Sequence, residues 1–363
     1  MERDIKKIKV LQVVGGMDRA GAETFVMNLF RNINKDKYDF NFLYFTDKKC
    51  DYDDEILSLN GKIHRIKLIN FFSNIINLIR FFKKERFDVV HSHVLFKNYL
   101  FILAAYFSGV KIRIAHSHNT SDKNSNSFIG KLYHSFSKII IFIFSNKKVA
   151  CGIQASSFLF PYSKDVFIVN NGIELLKDNS IKIEHKLSNS KTIKLIQVGR
   201  IEQVKNIEFS ILFCNYLISK GYKVEFDILG QGSLEDQLRQ KVRELKLENN
   251  VNFLGVQSDV RSYMQQSDIL LMPSFHEGFP VVLIEAQSVG LNCLISSNIS
   301  QEVDLGLGLI YFNNLQSFEN WECDLIKIKE KAKVSISECN QTLKMKGFDI
   351  EYNMRIIEGI YNG

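Results

Sequence analysis

The sequence lacks long apolar runs, paired cysteines and a secretion signal. No stretch of 18 consecutive apolar residues occurs in the 363-residue chain, so no ordinary membrane-spanning helix is predicted. The six cysteines, at positions 50, 151, 214, 293, 323 and 339, show no CxxC spacing. The first residues enter a strand pattern at once, without a signal-peptide cleavage region. We therefore expect a cytoplasmic protein with reduced, mostly packed thiols.

Acidic residues are scarcer than basic ones, and the imbalance is uneven along the chain. The formal net charge is +7, from 47 Lys and Arg against 40 Asp and Glu. Residues 1–174 hold 26 basic against 16 acidic residues, whereas residues 175–363 hold 21 against 24. This split suggests two domains with different partners, and the length allows two. A hydrophobic content of 45%, with 29 Phe and 13 Tyr, excludes intrinsic disorder.

Short β-branched and aromatic runs alternate with helical patterns, which predicts parallel sheets covered by helices on both faces. Strands are predicted at 8–14, 39–45, 62–66, 89–93, 111–116, 147–151, 166–169, 193–198, 224–229, 251–254, 269–273 and 293–296. A helix is predicted at 22–34, and the last ~45 residues also show helical patterns.

The alternation stops at residues 170–190, where an Asn-Asn-Gly turn signal precedes a polar segment. We predict an α/β protein with two doubly wound domains, 1–174 and 191–345, joined by a linker at 175–190. We also predict a C-terminal helix within 346–363, which could pack back on the first domain. Ligands bind at the carboxyl ends of strands in such sheets, so two facing sheets would form a cleft there.

A loop of special composition follows the first predicted strand of each domain. Residues 15–22 contain Gly16 and Gly21, which let backbone approach a ligand before an anion-favouring helix N-terminus. Their spacing fits neither GxGxxG nor a P-loop, and a plain tight turn explains it equally well. In the second domain Arg200 and Lys205 stand near a helix start, which suits a diphosphate. Surface charge beside a turn gives the same pattern.

Residues 273–286 place two carboxylates eight positions apart. Pro280 suits the first turn of a helix, which puts Glu277 on the preceding loop and Glu285 about 1.5 turns inside. A carboxylate within the apolar string VVLIEAQ is costly without a partner. Glu285 is therefore either a ligand contact or a residue at an exposed helix edge. After another predicted strand, Gly230 forms a turn that could touch a nucleotide.

Two His-Ser-His triplets, 91–93 and 116–118, stand at predicted strand ends. Alternate residues share a strand face, so each pair of imidazoles could point together. Three interpretations stay open: satisfied polar residues at strand ends, a substrate-contacting imidazole, and a four-histidine zinc site. The lack of nearby Cys and of a carboxylate motif disfavours zinc, and we predict no metal. The acidic run 51–55 is interpreted as a solvated helix start.

Residues 128–148 combine apolar positions with a basic stripe. Lys131, His134 and Lys138 recur at i, i+3 and i+7, beside apolar positions 128, 132, 136 and 139. The pattern is typical of a helix lying on an anionic membrane, and equally of a helix packed on the sheet with a solvated basic face. We hypothesise peripheral contact with the inner face of the cell membrane.

The strings GG…GAE, VGR…KN, LGxG, VNFLG and PSxxEGFPxVLIEA together resemble the retaining GT-B glycosyltransferases of family 4. Bacterial members that build capsular and exopolysaccharide repeat units are the most similar. The resemblance runs from Leu11 to Asp304, and the E-x7-E string is its most specific part. Ala20 replaces a glycine of the family pattern and Asn292 replaces a common proline. We expect both departures to be tolerated.

The resemblance implies a GT-B fold of two Rossmann-like domains facing a central cleft, and it implies roles by position. Arg200 and Lys205 match residues that bind the donor diphosphate. Glu285 matches a contact to the ribose hydroxyls, Glu277 lies near the donor sugar, and His118 contacts that sugar near the reacting carbon. Further donor contacts are implied for Gly16, Gly21, Gly230, Gly278, Phe279 and Pro280.

The activity implied by the resemblance is retaining, metal-independent hexosyl transfer from a nucleotide-sugar, with UDP as the expected nucleotide. No cofactor is implied, since the nucleotide-sugar is a co-substrate. The implied acceptor is a glycan or a polyprenyl-diphosphate-linked oligosaccharide. A UDP-sugar 2-epimerase, another enzyme of the same fold and a catalytically silent partner subunit stay open as alternatives, as do the donor sugar, linkage and oligomeric state. Nucleic-acid binding is not expected, because no recognised motif is present.

Overall fold

The computed structural model describes residues 6–119, 127–176, 192–331 and 334–363. The chain divides into two compact units. The first combines Met1–Glu174 with Gly347–Gly363, and the second is Leu175–Lys346. Most of the predicted linker, 175–190, lies outside the described residues.

The first unit is built on a sheet that has seven strands in the described residues. They are β1 Ile8–Gly15, β2 Tyr38–Tyr44, β3 Lys62–Arg65, β4 Val89–Ser92, β5 Ile112–Ser117, β6 Lys147–Ala150 and β7 Phe167–Ile168. Its helices are α1 Gly21–Asn32, α2 Asp53–Ser58, α3 Phe71–Glu85, α4 Asn98–Phe107, α5 Phe128–Phe144 and α6 Ile153–Leu159. The strand order is β3-β2-β1-β4-β5-β6-β7, and all neighbours are parallel.

The second unit has six parallel strands in the described residues. They are β8 Thr192–Val198, β9 Lys223–Leu229, β10 Val251–Gly255, β11 Ile269–Met272, β12 Asn292–Ser296 and β13 Ile310–Asn313. Its helices are α7 Ile207–Ser219, α8 Glu235–Glu244, α9 Val260–Gln266, α10 Val281–Ser288, α11 Phe318–Glu330 and α12 Ile336–Met345. The order is β10-β9-β8-β11-β12-β13.

The last helix, α13 (Ile350–Asn362), belongs to the first unit. Its apolar side buries Ile357, Ile360 and Tyr361 in the same core cluster as Val26 and Phe30 of α1. The opposite face of the sheet is covered by α3 and α4, whose Leu78, Phe82 and Phe101 form a second cluster with β1 residues. Helices on both faces explain why the central strands are buried almost throughout.

Both sheets reverse their strand order beside the first strand of the unit. In the first unit this switch point lies between β1 and β4, and in the second it lies between β8 and β11. Loops that follow strands at a switch point splay apart and leave a crevice in which ligands bind. The loops that the sequence singles out follow β1 and β4 in one unit and β8 and β11 in the other.

All the predicted strands are confirmed within one or two residues, and helices do occupy the C-terminal region. The prediction missed β13, a four-residue edge strand behind a glycine-rich turn. Pro280 is not in the first helical turn; it caps α10, which begins at Val281. The thiols are free and mostly packed as expected, because only Cys323 of the six is exposed. Within the described ranges, no helix is long and apolar enough to cross a membrane.

Candidate active site

Close backbone packing shapes the loop that follows β8. Gly199 has φ +149°, and its amide donates to the carbonyl of Leu229 at 2.9 Å. A Cβ atom on Gly230 would lie 1.9 Å from the Gly199 carbonyl oxygen, and one on Gly232 would lie 2.3 Å from that of Ile201. Because any side chain there would collide with backbone, glycine is required at both positions. The prediction of a turn at Gly230 is thereby explained sterically.

The following 3-10 turn, Gln203–Lys205, is held in place from two sides. The buried amide of Gln197, on β8, donates to the Lys205 carbonyl at 2.9 Å. Asn206 takes a left-handed conformation, φ 50°, and its side chain donates to the carbonyl of Pro273 at 3.1 Å. The amide of Phe275 donates to Val204. These bonds fasten the loop after β8 to the loop after β11.

This fastening places Lys205 beside Glu277. The Nζ atom of Lys205 lies 2.7 Å from Oε1 of Glu277, and the side chains are only 16% and 11% exposed. A charge-assisted hydrogen bond at this depth is stronger than an exposed ion pair. The sequence identified both residues as site candidates, and the structure brings them together. The pairing itself was not predicted, since 72 residues separate them.

Arg200 is exposed, and among the described residues no hydrogen bond or ion pair holds its guanidinium. The amide and hydroxyl of Ser233 hold the pKa of the Glu202 carboxyl below its ordinary value, and the Arg200 charge adds to that effect. Arg200 is therefore an exposed cation just beyond the carboxyl end of β8.

Glu285 lies part-buried on α10. Burial raises the pKa of its carboxyl, and the positive charge of Arg261 opposes that shift. The buried hydroxyl of Ser274, on the loop after β11, has no hydrogen-bond partner in the part of the chain that is described. Neither Arg261 nor Ser274 was predicted. A buried hydroxyl without a hydrogen-bond partner costs free energy.

The remaining predicted donor contacts of this unit surround the start of α10. Gly278 is exposed with open space around it. Phe279 packs at the edge of a core cluster, and Pro280 is buried. No side chain caps α10. The first amides of a helix have no partner within it and so favour an anion.

In the first unit, Gly16 lies in the loop after β1 and Gly21 begins α1. A Cβ on Gly16 would lie 3.3 Å from Sγ of Cys50, whereas Gly21 faces open space. Ala20 has φ −136°, an extended conformation that any residue adopts, so replacing the family's glycine there causes no strain. The carboxylate of Asp51 accepts from the Arg19 amide at 3.0 Å and steadies the loop.

The four histidines of the triplets converge at the carboxyl ends of β4 and β5. Nε2 of His118 lies 2.9 Å from Nδ1 of His93, whose Nε2 lies 2.8 Å from Oε1 of Gln12. Phe25 of α1 packs against His93 and His118 and makes an edge contact with His116. Within the described residues, each of these four imidazoles has at least one ring nitrogen with a hydrogen-bond partner.

The other pair is joined through the C-terminal helix. The hydroxyl of Tyr361 accepts from Nε2 of Gln12 at 2.8 Å and lies 2.8 Å from Nδ1 of His91. His91 Nε2 in turn lies 3.1 Å from Nδ1 of His116. We call the six residues, in the order His118, His93, Gln12, Tyr361, His91 and His116, the polar chain. Gln12 was not predicted, although a glutamine within the apolar run IKVLQVV is a visible signal.

Burial lowers the pKa of every imidazole in the polar chain, that of His118 to about 3. All four rings are therefore neutral near pH 7. One nitrogen each of His91, His93 and His116 lies within 4.8 Å of the others, a spacing that a metal ion could occupy. Most of these nitrogens are engaged in hydrogen bonds instead.

Two surface predictions need correction. In α5 only Lys131 of the basic stripe is exposed: His134 is buried and stacks on Phe96 with the ring centroids 3.9 Å apart, and Lys138 is half-buried over the same ring. The apolar positions are the exposed ones, because the sheet side of the helix is lined by His134, Ser137 and Ile141. In the acidic run, Asp53 is buried and bonds to Arg65 at 2.7 Å, so that helix start is not fully solvated.

Comparison with known proteins gives matches along most of the chain. Residues 19–174 match the family model described as Glycosyltransferase Family 4, and residues 178–304 match Glycosyl transferases group 1. EpsF of Bacillus subtilis, named as a glycosyltransferase, is 33% identical over 98% of this chain and 96% of its own. The capsular polysaccharide biosynthesis glycosyltransferase CapH of Staphylococcus aureus is 31% identical, over 98% of both chains.

The names of two further similar proteins state a substrate or a ligand. An Escherichia coli UDP-Gal:alpha-D-GlcNAc-diphosphoundecaprenol alpha-1,3-galactosyltransferase is 24% identical over 98% of this chain and 96% of its own. The crystal structure of Anabaena Alr3699/HepE in complex with UDP superposes with a TM-score of 0.74 at 16% identity. That superposition covers 99% of this chain and 100% of the other, and at this identity it shows a shared fold.

Proposed function

Because this chain belongs to the family 4 glycosyltransferases and has the GT-B fold, we propose that it moves a hexosyl unit from UDP-sugar to a glycan or lipid-linked acceptor. The observation that carries the proposal is the Lys205–Glu277 pair at 2.7 Å. It joins a cation and a carboxylate at the switch point of the second sheet, where doubly wound folds bind nucleotides.

The donor diphosphate lies, in this proposal, between Lys205, Arg200 and the start of α10. Negative charge grows on the diphosphate as the glycosidic bond breaks, and preorganised cations stabilise it. Lys205 is fixed by Glu277, whereas exposed Arg200 is able to close on the ligand. These two cations and the free amides of the helix supply the stabilisation without a metal ion. Glu285 binds the ribose hydroxyls from α10.

The family resemblance gives Glu277 its proposed role as a contact to the reacting sugar, and it gives His118 a proposed contact to that sugar near the reacting carbon. We propose that transfer retains the anomeric configuration, with the acceptor attacking on the face from which the diphosphate leaves. The family resemblance supports this stereochemistry. The family resemblance also gives Gly16, in the loop after β1, and Gly21, at the start of α1, proposed backbone contacts to the phosphate or the acceptor.

Surface polysaccharide synthesis is the proposed biological setting. The names of the relatives from Staphylococcus aureus and Escherichia coli support it, since one refers to capsule and the other to a diphosphoundecaprenol-linked sugar. UDP as the nucleotide is supported by the ligand in the Anabaena protein's title. The acceptor is then a glycan or a polyprenyl-diphosphate-linked oligosaccharide, and the enzyme works in the cytoplasm at the inner membrane face.

The first unit carries a surface that suits such an acceptor. Seven apolar side chains of α5 are at least 45% exposed and form what we call the apolar face: Phe128, Ile129, Leu132, Phe136, Ile139, Phe142 and Ile143. The ring of Tyr99 extends this face: its centroid lies 5.7 Å from that of Phe136 and 6.1 Å from that of Phe71. A contiguous exposed apolar patch is typical of an interaction site.

The proposed occupant of the apolar face is an anionic lipid surface. Helix α5 contains two lysines and no acidic residue, and residues 1–174 carry the basic excess of the chain. An amphipathic helix with its apolar side outward and cations at its rim lies in the interface of an anionic bilayer.

Vesicle flotation tests the membrane proposal. Phosphatidylglycerol vesicles should bind the protein in a salt-sensitive manner, and Phe128→Ser with Leu132→Ser should weaken binding at least tenfold. Leu57→Ser with Met345→Ser, at exposed apolar positions away from α5, is the control. The proposal would be contradicted if the vesicles did not bind the protein, or if binding were unaffected by salt and by both α5 substitutions. A salt-stable dimer formed through α5 would also contradict it.

A donor panel with mass detection tests the catalytic proposal. A set of UDP-sugars is incubated with and without a lipid-linked acceptor, and the transferred product is analysed for anomeric configuration. Transfer from a UDP-sugar in the presence of chelator is expected, with a steep loss in Arg200→Ala but not in Arg239→Ala. Conversion of donor alone to an epimer would identify an epimerase, and inertness with every donor would support a silent subunit.

A further inference from the structure

Helix α3 changes its chemistry both across and along its axis. On its inner side, Leu78 and Phe82 are buried in the core of the first unit. On its outer side, four exposed residues follow one another at spacings of four, four and three, which places them in one row. We call this row the α3 stripe: Phe72, Ile76, Arg80 and Lys83. Its first two residues are apolar and its last two are basic.

The two ends of the α3 stripe lie toward opposite edges of the first sheet. In a parallel α/β unit, a helix begins near the carboxyl end of the preceding strand and runs back to the amino edge. The end of α3 is tied to that amino edge, because Nζ of Lys9, in β1, donates to the Glu85 carboxylate at 2.8 Å. The apolar end of the stripe therefore lies toward the carboxyl edge, as the loop after β1 does.

The apolar face of α5 has the same polarity. Its phenylalanines Phe128, Phe136 and Phe142 are 82%, 46% and 45% exposed. The start of α5, which follows the carboxyl end of β5, is therefore its most exposed part. Both helices thus present their most exposed apolar side chains toward the carboxyl edge of the sheet.

Basic side chains collect toward the amino edge instead. Glu85 and Asp88, the acidic residues at the end of α3 and just beyond it, are both engaged by Lys9, through its Nζ and its backbone amide. Such an edge attracts anionic groups. Five exposed basic residues lie along the second half of α3 and at the starts of the following strands: Arg80, Lys83, Lys84, Arg86 and Lys111.

Aromatic rings connect the start of α3 to the apolar face of α5. The ring of Phe71 stacks on that of Tyr99, which in turn makes an edge contact with Phe136. Two exposed side chains, Ile69 and Phe72, widen this surface at 71% and 78% exposure. The apolar surface of the first unit therefore reaches from α5 across α4 to α3.

We propose that α3 is a second membrane-binding element beside α5, and that the first unit lies tilted on an anionic bilayer with the carboxyl edge of its sheet inserted deepest. The inference rests on the membrane contact proposed above for α5. Phe72 and Lys83 are separated by about 16 Å along the helix. Over a similar depth a bilayer changes from acyl chains to anionic headgroups, so it matches both halves of the α3 stripe.

This tilt has a consequence for the acceptor. The loop after β1, with Gly16 and Gly21, lies at the carboxyl edge of the same sheet. Inserting that edge brings the loop toward the lipid headgroups, where the diphosphate of a polyprenyl-linked acceptor is located. Helix α3 thereby orients the acceptor side of the enzyme toward its substrate.

Fluorescence quenching at single labelled positions tests the tilt. Cys323→Ser removes the exposed thiol, and one cysteine is then introduced by Phe72→Cys, Lys84→Cys or Leu132→Cys and labelled with an environment-sensitive dye. Phosphatidylglycerol vesicles with brominated acyl chains should quench the labels at positions 72 and 132. The label at position 84 should be quenched by aqueous iodide alone. Met345→Cys, at a position 72% exposed in the second unit, is the control and should behave like position 84.

Affinity for the same vesicles tests the two halves of the α3 stripe separately. Phe72→Ser with Ile76→Ser should weaken binding about tenfold. Lys83→Gln with Lys84→Gln should weaken it by about tenfold or more and reduce its salt dependence. All four positions are exposed, so the fold should be retained. Lys329→Gln with Lys344→Gln, at exposed positions of the second unit, is the matched charge control.

Two results would overturn the inference and leave the α5 contact standing. One is a label at position 72 that iodide quenches while bromine quenches position 132. The other is equal bromine quenching at positions 72 and 84, which would mean that α3 is not tilted. Shielding of position 72 by raised protein concentration without vesicles would also overturn the inference, since it would indicate a protein contact.

Two further measurements separate the inference from the functions proposed above. If vesicles shield neither position 72 nor position 132, the proposed membrane contact fails and the inference fails with it. Transfer to a water-soluble acceptor should proceed at the wild-type rate in every α3 variant, because these residues lie outside the catalytic machinery. Loss of that transfer in the α3 variants would overturn the inference, whereas its absence from the wild type as well would overturn the proposed transferase function alone.

Discussion

Lys205 and Glu277 form a 2.7 Å ion pair in which neither side chain is more than 16% exposed. Each residue comes from a loop at the switch point, and the bond from Asn206 to Pro273 fixes the two loops together. The pair is therefore held by contacts within the second unit. In the proposed function, the diphosphate binds a lysine that these contacts already position, which lowers the entropic cost of ordering the site.

UDP affinity should depend on the two partners in opposite ways. Lys205→Met removes the cation and should weaken UDP binding by at least about tenfold, the effect of a charge-assisted hydrogen bond. Glu277→Gln removes a competing negative charge and should leave UDP affinity equal or higher. Titration calorimetry measures both, with Lys241→Met, a partly exposed lysine of α8, as the control. Equal weakening by Lys205→Met and Glu277→Gln would mean that Lys205 only supports Glu277.

Gly230→Ala should destabilise the second unit by more than about 2 kcal/mol, because the new Cβ would lie 1.9 Å from the Gly199 carbonyl oxygen. Gly359→Ala is the control. That exposed glycine of α13 has no atom within 4 Å of an added Cβ, so alanine should stabilise by about 0.5–1 kcal/mol. Urea unfolding of both variants measures the difference. A neutral Gly230→Ala would show that the two loops are not packed this closely.

The buried and the exposed ion pair near α2 should contribute differently to the free energy of unfolding. Asp53 is 5% exposed and bonds to Arg65, whereas the Lys49–Asp54 pair is at least 70% exposed. Asp53→Ala should cost about 3 kcal/mol, since it leaves a partly buried guanidinium unpaired. Asp54→Ala should change the free energy of unfolding by less than about 0.5 kcal/mol. Similar values in denaturant titrations would contradict the assigned burial.

The stability of the first unit should fall as the pH drops below about 6.5, the pKa of an unfolded-state histidine. The folded state keeps His91, His93, His116 and His118 neutral because burial lowers their pKa values, that of His118 to about 3. Below pH ~6 the unfolded chain binds protons that the folded chain does not. The free energy of unfolding therefore falls by about 1.4 kcal/mol per pH unit for each histidine.

Hydrogen exchange followed by mass spectrometry at pH 7.5, 6.5 and 5.5, corrected for the intrinsic rate, checks this prediction. Peptides from β4 and β5 should lose protection on acidification, while peptides from β11 and β12 of the second unit serve as the internal reference. His116→Asn should make this loss of protection with falling pH less steep, by the contribution of one histidine. A slope that is flat between pH 6.5 and 5.5 would show that the imidazoles titrate normally.

The sequence by itself determined the fold class, the strand positions and most of the candidate site. Strand periodicity and loop composition are local properties, so a residue such as Arg200, or the glutamates of E-x7-E, can be identified without knowing its neighbours. The family resemblance supplied their expected roles. The same local reading missed β13, because its apolar residues continue directly from the glycine-rich run of residues 305–309 and show no separate strand pattern.

Tertiary structure alone decided which residues meet. Gln12 and Tyr361 are 349 residues apart, yet their bond joins the two halves of the polar chain. The outward side of α5 stayed open in the sequence, because helical periodicity identifies two faces but only packing against the sheet selects the buried one. There His134 stacks on Phe96 and leaves the apolar side exposed. Long-range pairing depends on the whole packed core, and no local pattern encodes it.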